Sequence, residues 1–277
     1  MRYVYFAVEG PHDVEFVARF LKLHGLKRIQ HKPQLAPFWG PVLPTTWPSP
    51  LGSTDLMKRV SVPAFFQNDA VSVAIDAVTG DSQLLISAIN VRNTVNQPGG
   101  DELHAIGIVL DSDEKSSASE RFTKISKELA AVKLPLAVTP GQVVDGPPRI
   151  GIFVLPDNVN AGTLEDLLID CAEKQYPQLL ASARTHIDSV KAEFPPYAKE
   201  DLVDFQKPAG RRKALVGSIG SVLRPGKAIQ MSIQDNRWID GEALELPRVK
   251  MFRAFVDALL APSPVPALAP GVGATSA

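Results

Sequence analysis

Cysteine is almost absent: Cys171 is the one thiol in 277 residues. That excludes an intramolecular disulfide framework and any multi-cysteine zinc or iron–sulfur site, and it fits a reducing cytoplasm. Net charge is also nearly lacking. Lys and Arg number 29 against 30 Asp and Glu, leaving −1, which excludes a polybasic protein that coats nucleic acid by overall charge but not a local basic surface. No apolar run approaches the roughly 20 residues needed to span a bilayer. The N-terminal run from Tyr3 to Val8 is cut by Glu9, too early for the apolar part of a secretory signal. The expectation is a cytoplasmic protein with no membrane contact.

Common catalytic signatures are missing as well. Gly220 to Lys227 (GSVLRPGK) has five residues between its glycines, where a phosphate loop has four. Ala228 stands where that loop needs a magnesium-binding hydroxyl. There is no G-x-S-x-G, no H-E-x-x-H and no G-x-G-x-x-G after a strand. The histidines (His12, His24, His31, His104, His186) are scattered. Chemistry must therefore come from carboxylates, Lys or Arg, and bound metal.

What is present alternates between strands and helices. Tyr3–Val8 reads as a buried strand, followed by a helix with Val14, Val17, Phe20 and Leu21 on one face and Gly25 as its stop. Residues 33–50 carry six prolines with Trp39 and Trp47, a density that no helix or strand interior tolerates. The Pro-rich insertion is taken as 33–68, with its aromatics expected to pack on the domain. Val71, Val73 and Ile75 alternate as a strand closing at Gly80, and the next segment reads as a helix with Ser82 as a plausible N-cap. AIGIVL (105–110) is a second buried strand. A helix follows it, opened by a Ser117/Glu120 capping box. RIGIFVL (149–155) is the next strand, and a helix starts near Thr163. Further helices are expected at 178–193, 211–223 and 249–260.

This order predicts an α/β fold: an open, mostly parallel sheet with helices on both faces and a helical C-terminal part. Residues 1–260 read as one domain. The Ala/Pro tail, 261–277, reads as disordered.

Ligands in open α/β sheets gather beyond the carboxyl ends of the strands. Glu9 follows the first strand, and Asp111 and Asp113 follow the AIGIVL strand. If the two strands are neighbours, these acids converge, and their mutual repulsion is relieved by a hard cation, Mg²⁺ or Mn²⁺. Such an ion polarises a phosphodiester and activates a water.

VYFAVEG followed by a helix, then IGIVLDSD, resembles the Toprim fold of topoisomerases, bacterial primases and the nucleases related to the OLD (overcoming lysogenization defect) proteins. PDNVNAGTLEDLL is similar to a stretch in small stand-alone Toprim-like bacterial proteins of unassigned function. The resemblance implies Glu9, Asp111 and Asp113 as the metal and catalytic acids. Two departures stand out. Lys115 occupies a position where topoisomerases and primases usually carry another acid, with Glu114 adjacent. No ATPase motif precedes the Toprim-like region, so any such engine would be a separate protein.

Two further segments stand out by charge. Asp157, Glu165, Asp166, Asp170 and Glu173 form an acidic run free of Lys and Arg. Asp157 or Glu165 could hold a second metal, whereas Glu165 and Asp166 could equally cap a helix. Lys207, Arg211, Arg212, Lys213, Arg224 and Lys227 form a run without acids. It reads either as a nucleic-acid track or as a solvated face paired with the acidic run. Lys213 is the expected stabiliser of phosphoryl charge. His12, and the group Lys22, Lys27, Arg28, His31 and Lys32, are expected to be helix-end and loop residues.

Two functional readings result. One is a metal-dependent nuclease or phosphodiester-processing protein acting on DNA or RNA. The other is a non-catalytic binding module working with a partner ATPase in a mobile-element or phage-defence system. The sequence leaves self-association open.

Overall fold

The computed structural model describes residues 1–262 apart from Leu56, Lys58, Thr79, Gln97, 113–115, Lys133, Leu136 and 191–198. Asp113, Glu114, Lys115 and the tail beyond 262 thus lie outside the described residues. The seven strands are β1 (Arg2–Val8), β2 (Lys27–Ile29), β3 (Ala64–Gln67), β4 (Val71–Ala77), β5 (Leu103–Asp111), β6 (Val143–Val144) and β7 (Arg149–Leu155). They form one sheet in the order β2-β3-β4-β1-β5-β7-β6.

The sheet is parallel at its centre: β4, β1, β5 and β7 run the same way. Its edges are antiparallel, with β2 and β3 on one side and β6 on the other, so the expected α/β sheet has a parallel centre and antiparallel margins. The Pro-rich insertion, taken as 33–68, ends in β3, between β2 and β4, while residues 33–50 lie outside the strands. The four-residue AFFQ was masked by its proline-dense neighbourhood.

Central strands are largely apolar because both faces are covered. In β1, Val4, Phe6 and Val8 enter one core while Tyr3, Tyr5 and Ala7 enter the other. The first core is covered by α1 (Pro11–Leu23), α4 (Leu164–Gln175), α5 (Pro177–Ser189), α7 (Gly210–Leu223), α8 (Ile229–Asp235) and α9 (Pro247–Leu260). The second lies beneath α2 (Asp81–Val95), α3 (Ala118–Ala131) and the Pro-rich loop. The short α6 (Val203–Gln206) precedes α7. Trp39 is fully buried, its indole N–H donating to Ser72 Oγ at 2.9 Å, and Phe38 stacks on Tyr3. Trp47, by contrast, is 64% exposed. Gly25 ends α1 at φ +72°, as its position suggests. The expected N-cap at Ser82 lies two residues late: Gly80 caps α2. Among the described residues, no helix is long and apolar enough to cross a membrane.

Candidate functional site

β1 and β5 are neighbours, Val8 pairing with Val109, so Glu9 and Asp111 leave the sheet side by side. The Asp111 backbone N–H donates to Glu9 Oε2 at 3.2 Å. The N-terminus of α4 is drawn to the same spot. Leu164 N–H donates to Asp111 Oδ1 at 2.9 Å, and Gly162 N–H donates to the buried Ser112 hydroxyl at 2.7 Å. That clamp carries Glu165, buried and accepting from the Thr163 hydroxyl at 2.7 Å, toward the end of β5.

A fourth carboxylate, Asp13, completes the group. It stands in the first turn of α1, which begins right after Glu9. Its carboxylate accepts backbone N–H bonds from Gly10 and from Asp13 itself, a helix-start bond of the ordinary kind. Burial, then the charges of Glu9 and Glu165, nevertheless push its carboxyl up to about 7. Burial also drives Asp111 well above the usual carboxylate range, with Asp13, Glu9 and Glu165 adding, against the Leu164 N–H that favours its charged form. Four acids thus repel one another in a partly dry space between the N-termini of α1 and α4, whose dipoles offset part of the cost.

One cation meets them directly. Arg121, on α3, pairs with Glu9 Oε1 at 2.7 Å and donates from Nε to the Asp111 carbonyl at 2.9 Å. The Ser117/Glu120 capping box that starts α3 is present as expected and fixes the helix end that presents it. His12 Nδ1 lies 4.0 Å from Glu165 Oε1. Burial lowers its pKa, the Glu165 carboxylate opposes, and the Lys213 charge lowers it further.

Neither Asp13 nor Arg121 was singled out from the sequence, yet a signal existed. Asp13 precedes Val17 by one helical turn and Arg121 precedes Ile125 likewise, so each puts a charge on its helix's apolar stripe. A charge there needs a partner in the interior.

The other expected site residues are divided. Asp157 is held elsewhere: it pairs with Arg248 at 2.9 Å, which also binds Asp170 at 2.8 Å, and it caps the turn to Asn160. Against the cost of burial, bonds from Asn160 and Arg248 keep its carboxyl below the ordinary range. Asp157 leaves the same sheet edge as Asp111, since β7 ends beside β5, but its carboxylate, considered for a second metal, is engaged by Arg248 and Asn160. Asp166 closes the α4 capping box with Thr163 and pairs with Arg212 at 3.2 Å. In the basic run, Lys207 pairs with Asp204, Arg211 with Asp188 and Arg224 with Asp235, which fits the solvated-face reading. Arg212 and Lys213 reach the acidic edge through Asp166 and His12. Lys227 follows the turn after α7 and is exposed. Cys171 is buried, with its thiol pushed up to about 12 by burial and Asp170.

The donor set at the edge is all carboxylate oxygen, the chemistry that Mg²⁺ or Mn²⁺ takes. Among the described residues, no three His, Cys, Asp or Glu side chains already surround one ion-sized point, and Asp113 lies outside them. The acids would have to close on an ion.

No curated protein matches the chain. A solved structure, a hypothetical protein from Pyrococcus horikoshii OT3, is similar over 94% of this chain and 95% of its own, at 16% identity and a TM-score of 0.49. The family model described as "Protein of unknown function (DUF3226)" matches residues 4–257, and the chain belongs to that family.

Proposed function

We propose that the chain is a divalent-cation-dependent, phosphodiester-processing protein acting on DNA or RNA in the cytoplasm, with its site at the C-terminal edge of β1 and β5. The observation that carries this reading is the convergence of Glu9, Asp13, Asp111 and Glu165 on one sheet edge, where burial, with their mutual charge added, pushes Asp13 up to about 7 and Asp111 well above the ordinary range. Arg121 offsets part of the Glu9 charge, yet the proton affinities of Asp13 and Asp111 remain raised, and pKa values perturbed this way mark candidate functional sites. Glu9 and Asp111 would hold Mg²⁺ or Mn²⁺, with Glu165 and Asp113 as further ligands. When bound, the ion would supply Lewis acidity toward a phosphoryl oxygen and lower the pKa of a water.

The chain's own residues have separate tasks. Arg121 neutralises part of the Glu9 charge and fixes the backbone at Asp111. Asp13, protonated at the lower end of the neutral range, can hold or release a proton beside the reacting group. The N-termini of α1 and α4 favour an anion. His12, with its pKa lowered, is a neutral imidazole able to accept a hydrogen bond. Lys213 supplies positive charge at the outer rim. The Toprim resemblance adds to this reading through its Glu after the first strand and acids after the strand beside it.

A second reading, a non-catalytic module acting with a separate ATPase, is favoured by the Arg121–Glu9 pair, which already satisfies one metal-ligand candidate, and by the ion pairs of the basic run. Plasmid, single-stranded DNA and RNA incubated with Mn²⁺ separate the two. Cleavage lost in Asp111→Asn and Glu9→Gln is the expected result. Mn²⁺ binding by calorimetry that depends on Asp111, with no cleavage of any substrate, selects the module. Absence of both overturns the metal-site reading.

A further inference from the structure

A cleft lies away from the acids, where the edge strand β2 meets the Pro-rich loop and α8. It measures about 780 Å³, within the size range of small-ligand sites. Trp47 stands at its wall, 64% exposed, although the other two tryptophans, Trp39 and Trp238, are fully buried. Arg28, His31 and Lys32 also line it, with no acid among its described lining residues. Arg28 is engaged with Glu15, whereas His31 and Lys32 are exposed.

An exposed indole beside cationic side chains, with no carboxylate, suits a flat ring attached to phosphate. The cleft is not isolated. A smaller cavity of about 260 Å³ shares Val62 and Ala64 with it and reaches Pro11, Val14 and Ala77. Pro11 opens α1 immediately before His12 and Asp13, and Ala77 pairs with Val8, the residue before Glu9. Ala64 pairs with Ile75, itself opposite Phe6. The span from Ala64 to Glu9 is therefore two strand spacings across and three residues along, on the order of 14 Å. The two depressions together run from the Trp47 cleft past Glu15 to Pro11 at the start of α1, beside the acidic edge.

We propose that this cleft is a nucleobase subsite for single-stranded nucleic acid, in which a base stacks on the Trp47 indole, the adjoining phosphate meets His31 and Lys32, and the strand continues past Val62 and Ala64 to the acids. The strand's destination rests on the proposed function of the acidic edge; the cleft's affinity for a nucleotide does not. Paired bases are already stacked and cannot reach the indole, so the subsite selects single strands over duplex.

The test uses the full chain without divalent cation, titrated with a short single-stranded oligodeoxynucleotide, its RNA counterpart and a duplex of the same sequence. Trp47 is the accessible fluorophore, so single strands quench it and duplex does so weakly. Trp47→Ala weakens binding about tenfold, Trp47→Phe retains most of it, and Lys32→Gln lowers the salt dependence by about one counterion. Unchanged affinity in a folded Trp47→Ala variant, or absence of quenching, overturns the proposal. So does inorganic tripolyphosphate competing as well as the oligonucleotide, which would mean that the cleft reads charge alone. Quenching that persists when no substrate is cleaved sinks the catalytic reading and leaves the subsite standing.

Discussion

Asp13→Asn tests the electrostatic account of the acidic edge most directly. The Asp13 carboxyl rises from its ordinary 3.8 to about 7 on folding, and each tenfold change in proton affinity is worth about 1.4 kcal/mol. Below about pH 4 the folded and unfolded chains both carry the proton, and the group contributes nothing to the pH dependence. Between about pH 4 and 7 the unfolded chain ionises while the folded site keeps its proton, so stability falls as pH rises. Above about pH 7 the loss is complete, at about 4 kcal/mol. That energy belongs to the coupled acids as a set, because Glu9, Asp111 and Glu165 share the field with Asp13. An asparagine has no charge to lose and keeps an oxygen for the Gly10 N–H. Urea unfolding can be followed through the buried Trp39 and Trp238 at several pH values. The variant is expected to gain on wild type progressively from about pH 4 to 7, and to stay ahead above that. Mn²⁺ should restore wild type at high pH, by about 2.7 kcal/mol when present at 100 times its dissociation constant, and help the variant less. A stability difference that stays constant with pH would refute the reasoning.

Arg121→Met removes the cation from Glu9 and the donor from the Asp111 carbonyl, and should cost about 3 kcal/mol in urea unfolding because it strands a largely buried carboxylate. Arg121→Lys should rescue it only in part, since one ammonium cannot reproduce both bonds. Gly107→Ala places a methyl 2.6 Å from the Phe6 ring and 2.8 Å from Leu259. It should destabilise by about 1–3 kcal/mol without altering Mn²⁺ binding, as read by thermal unfolding and calorimetry.

Much of this architecture was legible in the sequence because the central strands and the long helices carry their own period. Tyr3–Val8, 105–110 and 150–155 are apolar without interruption, as strands covered on both faces must be, and the Ser117/Glu120 box announced α3. The edge strands escaped. Lys27–Ile29 and Val143–Val144 are two or three residues long, too short for any pattern, and β3 follows directly on a proline-dense loop. Sequence alone also carried Glu9 and Asp111 to strand ends. Whether they meet depended on β1 lying beside β5, a fact of strand order that no local pattern contains. The same holds for Asp13 and Arg121, whose charges on apolar stripes acquire a reason only when α1 and α3 converge on that edge. Asp157 shows the reverse: it follows a strand as the other acids do, but Arg248, distant in the chain, turns it into a structural ion pair. Residue types and spacing determine which groups are available for chemistry; the packing of distant segments determines which of them share a field.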